Sequence, residues 1–408
     1  MAREAVWITG VGACSALGMG AIALADALEQ GHSGVRLHAG EPKRGLAPYA
    51  AADVTDPLGQ HLPPGQRNLY DRHSLLALHA AHEAWQQAGL PAQSENPTRA
   101  ACAWGTGIGG SHSIEQSYTE WLTKDVPRLH PYTVVRIMSN SAASHLAMKY
   151  QLQAAMLTVS NACASSAQAI GEALMLMRQG RADMALVGGS ESMLNHASVM
   201  AWQAMGVMAP PDPDDPAASC RPFDDKRSGL VLGEGAAALV LERPDHARAR
   251  GATPLAELAG YGHSVDAVHL SRPDAAGQLR AMRAALDDAQ LAPQEIGYVN
   301  AHGTATEVGD AVEAASLAEL FGPRGVAVSA TKALHGHLIG AGGALELVST
   351  VLALQRGRVP ASAHVRGSAL EDRIDIVREG PRVLRMRAMM SNSFAFGGSN
   401  VALVIRGV

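Results

Sequence analysis

Phenylalanine is nearly missing from this chain: there are four in 408 residues, and two of them fall in one glycine-rich segment near the C-terminus. Lysine is almost as scarce. Only Lys43, Lys124, Lys149, Lys226 and Lys332 occur, so arginine carries most of the positive charge and Lys332 stands alone in an uncharged stretch. The four cysteines (14, 102, 163 and 220) form no CxxC pair and no zinc-ligand spacing. The chain goes directly into Val6-Trp-Ile-Thr-Gly-Val-Gly12, without a charged n-region and an apolar h-region. No signal peptide is expected, and the cysteine pattern then predicts a reduced, cytoplasmic protein. No run of about 18 apolar residues occurs, so no transmembrane helix is expected. A net charge of −5 and a pI near 6.4 exclude a global basic field for nucleic acid. What is present, 47% hydrophobic and 17% charged residues, suits a well-buried globular enzyme. At roughly 150 residues per domain, the length allows two or three domains or one large duplicated one.

Strand-like runs alternate with helical patterns. Met156–Val159, Met184–Val187, Ile296–Val299 and Val326–Val328 are β-favouring, Ala5–Ile8 opens the series, and 164–180, 275–289 and 342–355 carry helical periodicity. That alternation predicts an α/β fold with buried sheets. A charged stretch, Arg243–Gly251, marks the internal boundary, giving an N-terminal half over 1–250 and a C-terminal half over 251–408. Both halves use the same device: apolar strand, Gly or Ser turn, reactive residue, helix. This hints at duplication, although no fixed-period repeat is visible.

Four segments offer chemistry. In Met156-Leu-Thr-Val-Ser-Asn-Ala-Cys163-Ala-Ser-Ser, a strand runs into a helix through small residues. Cys163 is then a thiol over a helix N-terminus, where positive partial charge favours the thiolate; the alternative is a buried, inert cysteine. In Asn300-Ala-His302-Gly-Thr304-Ala-Thr306, an imidazole sits at a strand mouth before a tight turn and two hydroxyls. In Lys332-Ala-Leu-His335-Gly-His337 through Glu346, charges sit among small apolar residues, so Lys332 reads as buried and in need of a partner, which Glu346 could supply. His335 and His337 as a metal pair is the rival reading, discounted for lack of a further ligand cluster. In Ser393-Phe394-Ala-Phe396-Gly-Gly, the glycines let backbone amides face a ligand, or simply make a turn. Gly105-Thr-Gly107-Ile-Gly109-Gly110 imitates a dinucleotide fingerprint, but it lies a hundred residues into the chain, and the acids that follow, Glu115, Glu120 and Asp125, are not at a predicted strand end.

In this order the four segments resemble the β-ketoacyl-acyl-carrier-protein synthases of the thiolase superfamily, in the elongating type that includes KAS I and KAS II. Ile8-Thr-Gly-Val-Gly12 and Arg221-Pro-Phe-Asp extend the likeness over nearly the whole chain. The resemblance implies a thiolase-like five-layer αβαβα fold of two duplicated halves. It implies decarboxylative Claisen condensation of a malonyl thioester with an acyl group carried on Cys163, in fatty-acid or polyketide/polyene elongation. His302 and His337 complete a Cys-His-His triad, with Lys332 and Glu346 in support. Phe396 is the gating aromatic, and its amide with that of Cys163 forms the oxyanion hole. Thr304 and Thr306 take the pantetheine arm, while Ile108, Trp202 and Phe394 line the substrate site.

Three departures from the family pattern stand out: Ala395 between the two Phe, His335 where small or hydroxyl residues are common, and Trp202 where Phe is usual. Trp202 either shortens the acyl tunnel or packs at a dimer interface. No cofactor is implied, because substrates ride on the phosphopantetheine of an acyl carrier protein. That acidic partner should meet a local basic patch, for which Arg67, Lys124 and Arg128 are candidates. A homodimer or a heterodimer with a homologous subunit is implied, with no nucleic-acid or membrane partner. The rival function is the chain-length factor, a ketosynthase-like subunit that lacks the nucleophile; a degradative thiolase would need a second reactive Cys near the C-terminus.

Overall fold

The computed structural model describes residues 4–59, 62, 65–124, 127–384 and 386–408. The first half contributes strands β1 (Trp7–Ser15), β2 (Ala100–Gly105), β3 (Met156–Val159), β4 (Met184–Glu191) and β5 (Gly235–Glu242). The second contributes β6 (Ala256–Val265), β7 (Ile296–Asn300), β8 (Ala327–Ser329), β9 (Ala388–Phe394) and β10 (Ser399–Arg406). The first sheet runs β1-β5-β4-β2-β3, antiparallel over its first two pairings and parallel over the others. The second repeats that order and those directions as β6-β10-β9-β7-β8. A short antiparallel contact, Trp7 opposite Glu257 and Ile8 opposite Ala256, joins the two at one edge.

The helices that matter here are α1 (Arg72–Gln87), α2 (Ser165–Arg178), α3 (Ala275–Ala289), α4 (Glu307–Phe321) and α5 (Gly342–Arg356). Helix α1 covers the outer face of the first sheet, α3 covers the second with α4 packed on α3, and α2 and α5 touch strands of both sheets. The result is five layers, αβαβα, with the largest apolar cluster in the middle layer around Ile170, Leu174, Met177, Leu345, Val348 and Val351. Among the described residues, no helix is long and apolar enough to cross a membrane.

Duplication, only hinted at in the sequence, is plain in the packing. A register irregularity falls between Ile8 and Gly10 in β1 and between Leu258 and Gly260 in β6. A Cβ on Gly10 or Gly12 would stand 2.2 or 2.1 Å from carbonyl oxygens of α1; on Gly260 or Gly262 it would stand 2.2 or 2.0 Å from those of α3. Glycine there lets a helix lie directly on the sheet. The same feature explains why β1 runs to Ser15 rather than stopping at Ile8: its glycines are a packing surface, not a turn. Helices over Ser111–Thr123 and His196–Met205 also went unforeseen. The first carries exposed Tyr118, Trp121 and Leu122, and the second buries only Val199, so neither shows a wide apolar stripe.

Candidate active site

Strand β3 ends at Val159, and a single 3₁₀ turn, Ala162–Ala164, places Cys163 just ahead of α2. Ala162 takes a left-handed φ of 45° to make that turn. Cys163 is buried, at 6% exposure. From the second half, a short helix over Lys332–His335 delivers His337, whose Nε2 lies 2.9 Å from Cys163 Sγ. His302 follows β7. Its backbone N–H and that of Gly303 donate to the two carboxylate oxygens of Glu313 on α4, each at 2.8 Å. The His302 and His337 rings meet edge-on at 5.4 Å, and Phe394 lies edge-on to His302 at 6.1 Å. One thiol and two imidazoles from three separate strand ends thus present donor atoms within 4.8 Å of one another.

Lys332 and Glu346 are both buried and form an ion pair beneath this cluster. Burial pushes the Glu346 carboxyl up to about 7, against the pull of the ammonium. Both His302 and His337 are held well below the ordinary imidazole range, by burial first and by Lys332 second, so both are neutral. The Lys332 charge also opposes a cation at the Cys163–His302–His337 cluster. His335 is not half of a metal pair: its Nδ1 donates to the Gly336 carbonyl at 2.7 Å and its Nε2 accepts from the Thr331 hydroxyl at 2.9 Å, leaving no free nitrogen. Burial lowers it to about 3, and it serves as a core histidine.

The helix N-terminus at Cys163 favours the thiolate, and burial works against it. Burial pushes the thiol up to about 12, although Lys332 and the backbone amides of Phe396 and Cys163 itself all pull downward. Desolvation of an anion outweighs one helix end and one ammonium held at a distance. In the resting site the sulfur carries its proton and is hydrogen-bonded to neutral His337. The sign follows: below its pKa, the thiolate fraction rises tenfold per pH unit, so alkylation of Cys163 by iodoacetamide should accelerate throughout pH 7 to 10. A plateau near pH 7 would show a standing thiolate instead.

A cavity of about 420 Å³ reaches Cys163, His302 and His337 and is lined also by Thr304, Thr306, Phe394 and Phe396. The two threonine hydroxyls are 3.1 Å apart. Phe396 sits in a turn shaped by Gly397 and Gly398, at φ 82° and 77°. Trp202 stacks on it, centroids 6.2 Å apart and planes 25° off parallel. Neither Trp202 nor Ile108 lines the cavity of the single chain, and Ile108 is 41% exposed. Arg67, Lys124 and Arg128 are exposed and away from the lining, where Arg272 is the cation; Lys124 lies 3.8 Å from Glu120. Sequence reasoning passed over Glu313 and Asp310. Asp310 accepts from the amides of Phe223 at 2.7 Å and Ala305 at 3.1 Å, and burial pushes it up to about 7. A signal was present: two acids three apart, on the face of α4 that also buries Ala314 and Leu317.

Residues 3–247 match the family model "Beta-ketoacyl synthase, N-terminal domain", and residues 255–366 match its C-terminal counterpart. Nodulation protein E of Rhizobium meliloti (strain 1021) is 38% identical over 405 residues, covering 99% of each chain. The 3-oxoacyl-[acyl-carrier-protein] synthase 2 of Coxiella burnetii is 34% identical over 412 residues, again covering 99% of each. A solved structure of the ishigamide ketosynthase/chain length factor superposes with a TM-score of 0.90 at 31% identity, covering 100% of both chains.

Proposed function

The chain belongs to the β-ketoacyl synthase family and is a condensing acyltransferase, and we propose that it extends carrier-bound acyl chains through Cys163. The observation that carries this reading is the 2.9 Å contact between Cys163 Sγ and His337 Nε2, with His302 in the same cluster. As the sulfur attacks an acyl thioester, His337 takes its proton and hands it to the departing carrier thiol; a C–S bond forms on Cys163 and one breaks on the carrier. A malonyl thioester then enters and loses CO2. The acylated sulfur no longer donates to His337 Nε2, and the two neutral imidazoles, each in its Nε2–H tautomer, offer N–H groups to the resulting enolate oxygen. No cofactor is needed, since loss of CO2 itself generates the carbanion. The enolate carbon attacks the Cys163 thioester, and the tetrahedral oxyanion meets the amides of Cys163 and Phe396, both of which face the sulfur; its collapse breaks the C–S bond, releases the β-ketoacyl carrier and leaves the Cys163 sulfur to regain a proton from water. Thr304 and Thr306 bind the pantetheine arm along the cavity. A non-catalytic chain-length factor has no use for a buried thiol bonded to an imidazole.

The test is mass spectrometry of the Cys163 peptide after incubation with acyl- and malonyl-carrier protein. An acyl adduct on Cys163 and a β-ketoacyl product on the carrier are expected; an unmodified peptide with no product overturns the reading.

Two finer proposals accompany it. Trp202, stacked on Phe396, limits how far that ring can swing and so sets the acyl length admitted. Trp202→Ala should therefore shift the product profile toward longer acyl groups, and an unchanged profile would retire the idea. The chain also pairs with a second chain of the same fold. Among the described residues strand β3 ends the first sheet with an open edge, and Tyr118, Trp121, Leu122, Val134 and Val135 expose apolar surface. The similar solved structure of the ishigamide ketosynthase/chain length factor supports such a pair. Light scattering of the purified chain separates a homodimer from a protomer awaiting a homologue.

A further inference from the structure

Behind the Cys163 turn lies a carboxylate that the chemistry above does not use. Glu191, the last residue of β4, is completely buried. Its Oε1 accepts from the Thr106 hydroxyl at 3.2 Å, and its Oε2 accepts from the amides of Gly107 and, at 3.1 Å, Gly340. These donors belong to different halves of the fold. Thr106 and Gly107 open the glycine-rich segment that imitates a dinucleotide fingerprint, while Gly340 is three residues beyond His337.

The two segments are pressed together: a Cβ on Gly340 would stand 2.2 Å from the Gly107 nitrogen. Between His337 and Gly340 lies Ile339, with φ of 43°. A β-branched side chain rarely adopts that conformation, and strain of this kind persists only where its surroundings over-determine it. The Cys163 turn leans on the same segment, since Ser160 Oγ donates to the Gly107 carbonyl at 2.8 Å.

We propose that Glu191 is a positioning residue for the thiol–imidazole pair, clamping the strained turn that follows His337 to the Gly-rich segment beneath Cys163. This explains why glycines stand at 107 and 340, where no side chain fits between the carboxylate and the two backbones. Burial pushes the Glu191 carboxyl up while the Gly107 and Gly340 amides and the Thr106 hydroxyl pull it down; what the clamp uses is two acceptor oxygens at a fixed reach.

The inference rests on the reading of Cys163 and His337 as the reactive pair, and the test keeps the two apart by reading Cys163 alkylation by iodoacetamide as well as turnover. Glu191→Gln keeps the reach and an acceptor oxygen; Glu191→Asp keeps the acid and loses the reach. The Gln variant should alkylate and turn over within about threefold of wild type, while the Asp variant should be about tenfold slower in both, the loss of roughly one well-placed hydrogen bond. The KM for carrier-bound substrate should not change in either. An Asp variant equal to wild type, or a Gln variant as slow as Asp, overturns the proposal. If the Asp variant does not fold, Thr106→Val removes one donor from the same carboxylate and should slow alkylation about two- to threefold; no change overturns it equally. A wild-type chain that alkylates elsewhere but not at Cys163 sinks the reactive-pair reading itself.

Discussion

Replacing Cys163 by Ala is expected to lower condensation by at least about 10⁴-fold, because the step that carries the acyl group has no other acceptor. Cys14, Cys102 and Cys220 are buried, and none lines the cavity. The same variant should still release CO2 from a malonyl thioester. That half-reaction needs the imidazole N–H groups of His302 and His337, and the backbones that carry both rings are held by contacts that do not involve the sulfur: Glu313 holds the His302 backbone, and the His337 amide donates to the Val231 carbonyl at 2.7 Å. Labelled CO2 release and β-keto product formation, measured in parallel, separate the two steps. His302→Ala should show the opposite pattern, with Cys163 still acylated and CO2 release lost. Equal loss of both activities in both variants would mean the thiol and the imidazoles do not act in separable steps.

Lys332→Ala should cost about 3–5 kcal/mol of stability, because it leaves the Glu346 carboxylate buried without its counter-charge. Both side chains are about 1% exposed, so water cannot replace the ammonium. Urea unfolding reads this directly. A double variant, Lys332→Met with Glu346→Leu, should recover most of that stability, since apolar residues of similar volume commonly replace a buried pair without loss. It should not recover turnover. The Lys332 charge is the largest influence after burial on Cys163 and on both imidazoles, and a methionine supplies no field. A double variant with normal turnover would reduce Lys332 to a packing residue.

Much of this architecture is legible in one dimension. Met156–Val159 and Ala275–Ala289 are read to the residue, the first as a short β-favouring run ended by Ser-Asn, the second from its helical periodicity, and the structure ends the helix at an Asp274 cap and a left-handed Gln290. The reactive residues are legible for a different reason. A thiol, two imidazoles and a lysine among small uncharged neighbours are conspicuous wherever the chain has little polarity to spend. Glu191 was not legible, because a carboxylate that caps backbone amides from the end of a strand leaves no periodic mark, and Glu313 left only its three-residue spacing from Asp310.

From order and composition alone came the alternation of strands and helices, the five-layer fold implied by resemblance, and the identity of the side chains at the strand mouths. Those features depend on local periodicity and on residue type, both of which survive in a linear string. Only the packed molecule decided that Cys163 rests as a protonated thiol, that His335 is inert while His337 touches sulfur, and that Trp202 lies on Phe396 rather than in the cavity. Desolvation, hydrogen-bond partnership and ring stacking are sums over neighbours distant in the chain, and those neighbours are assigned only when the two halves close on each other.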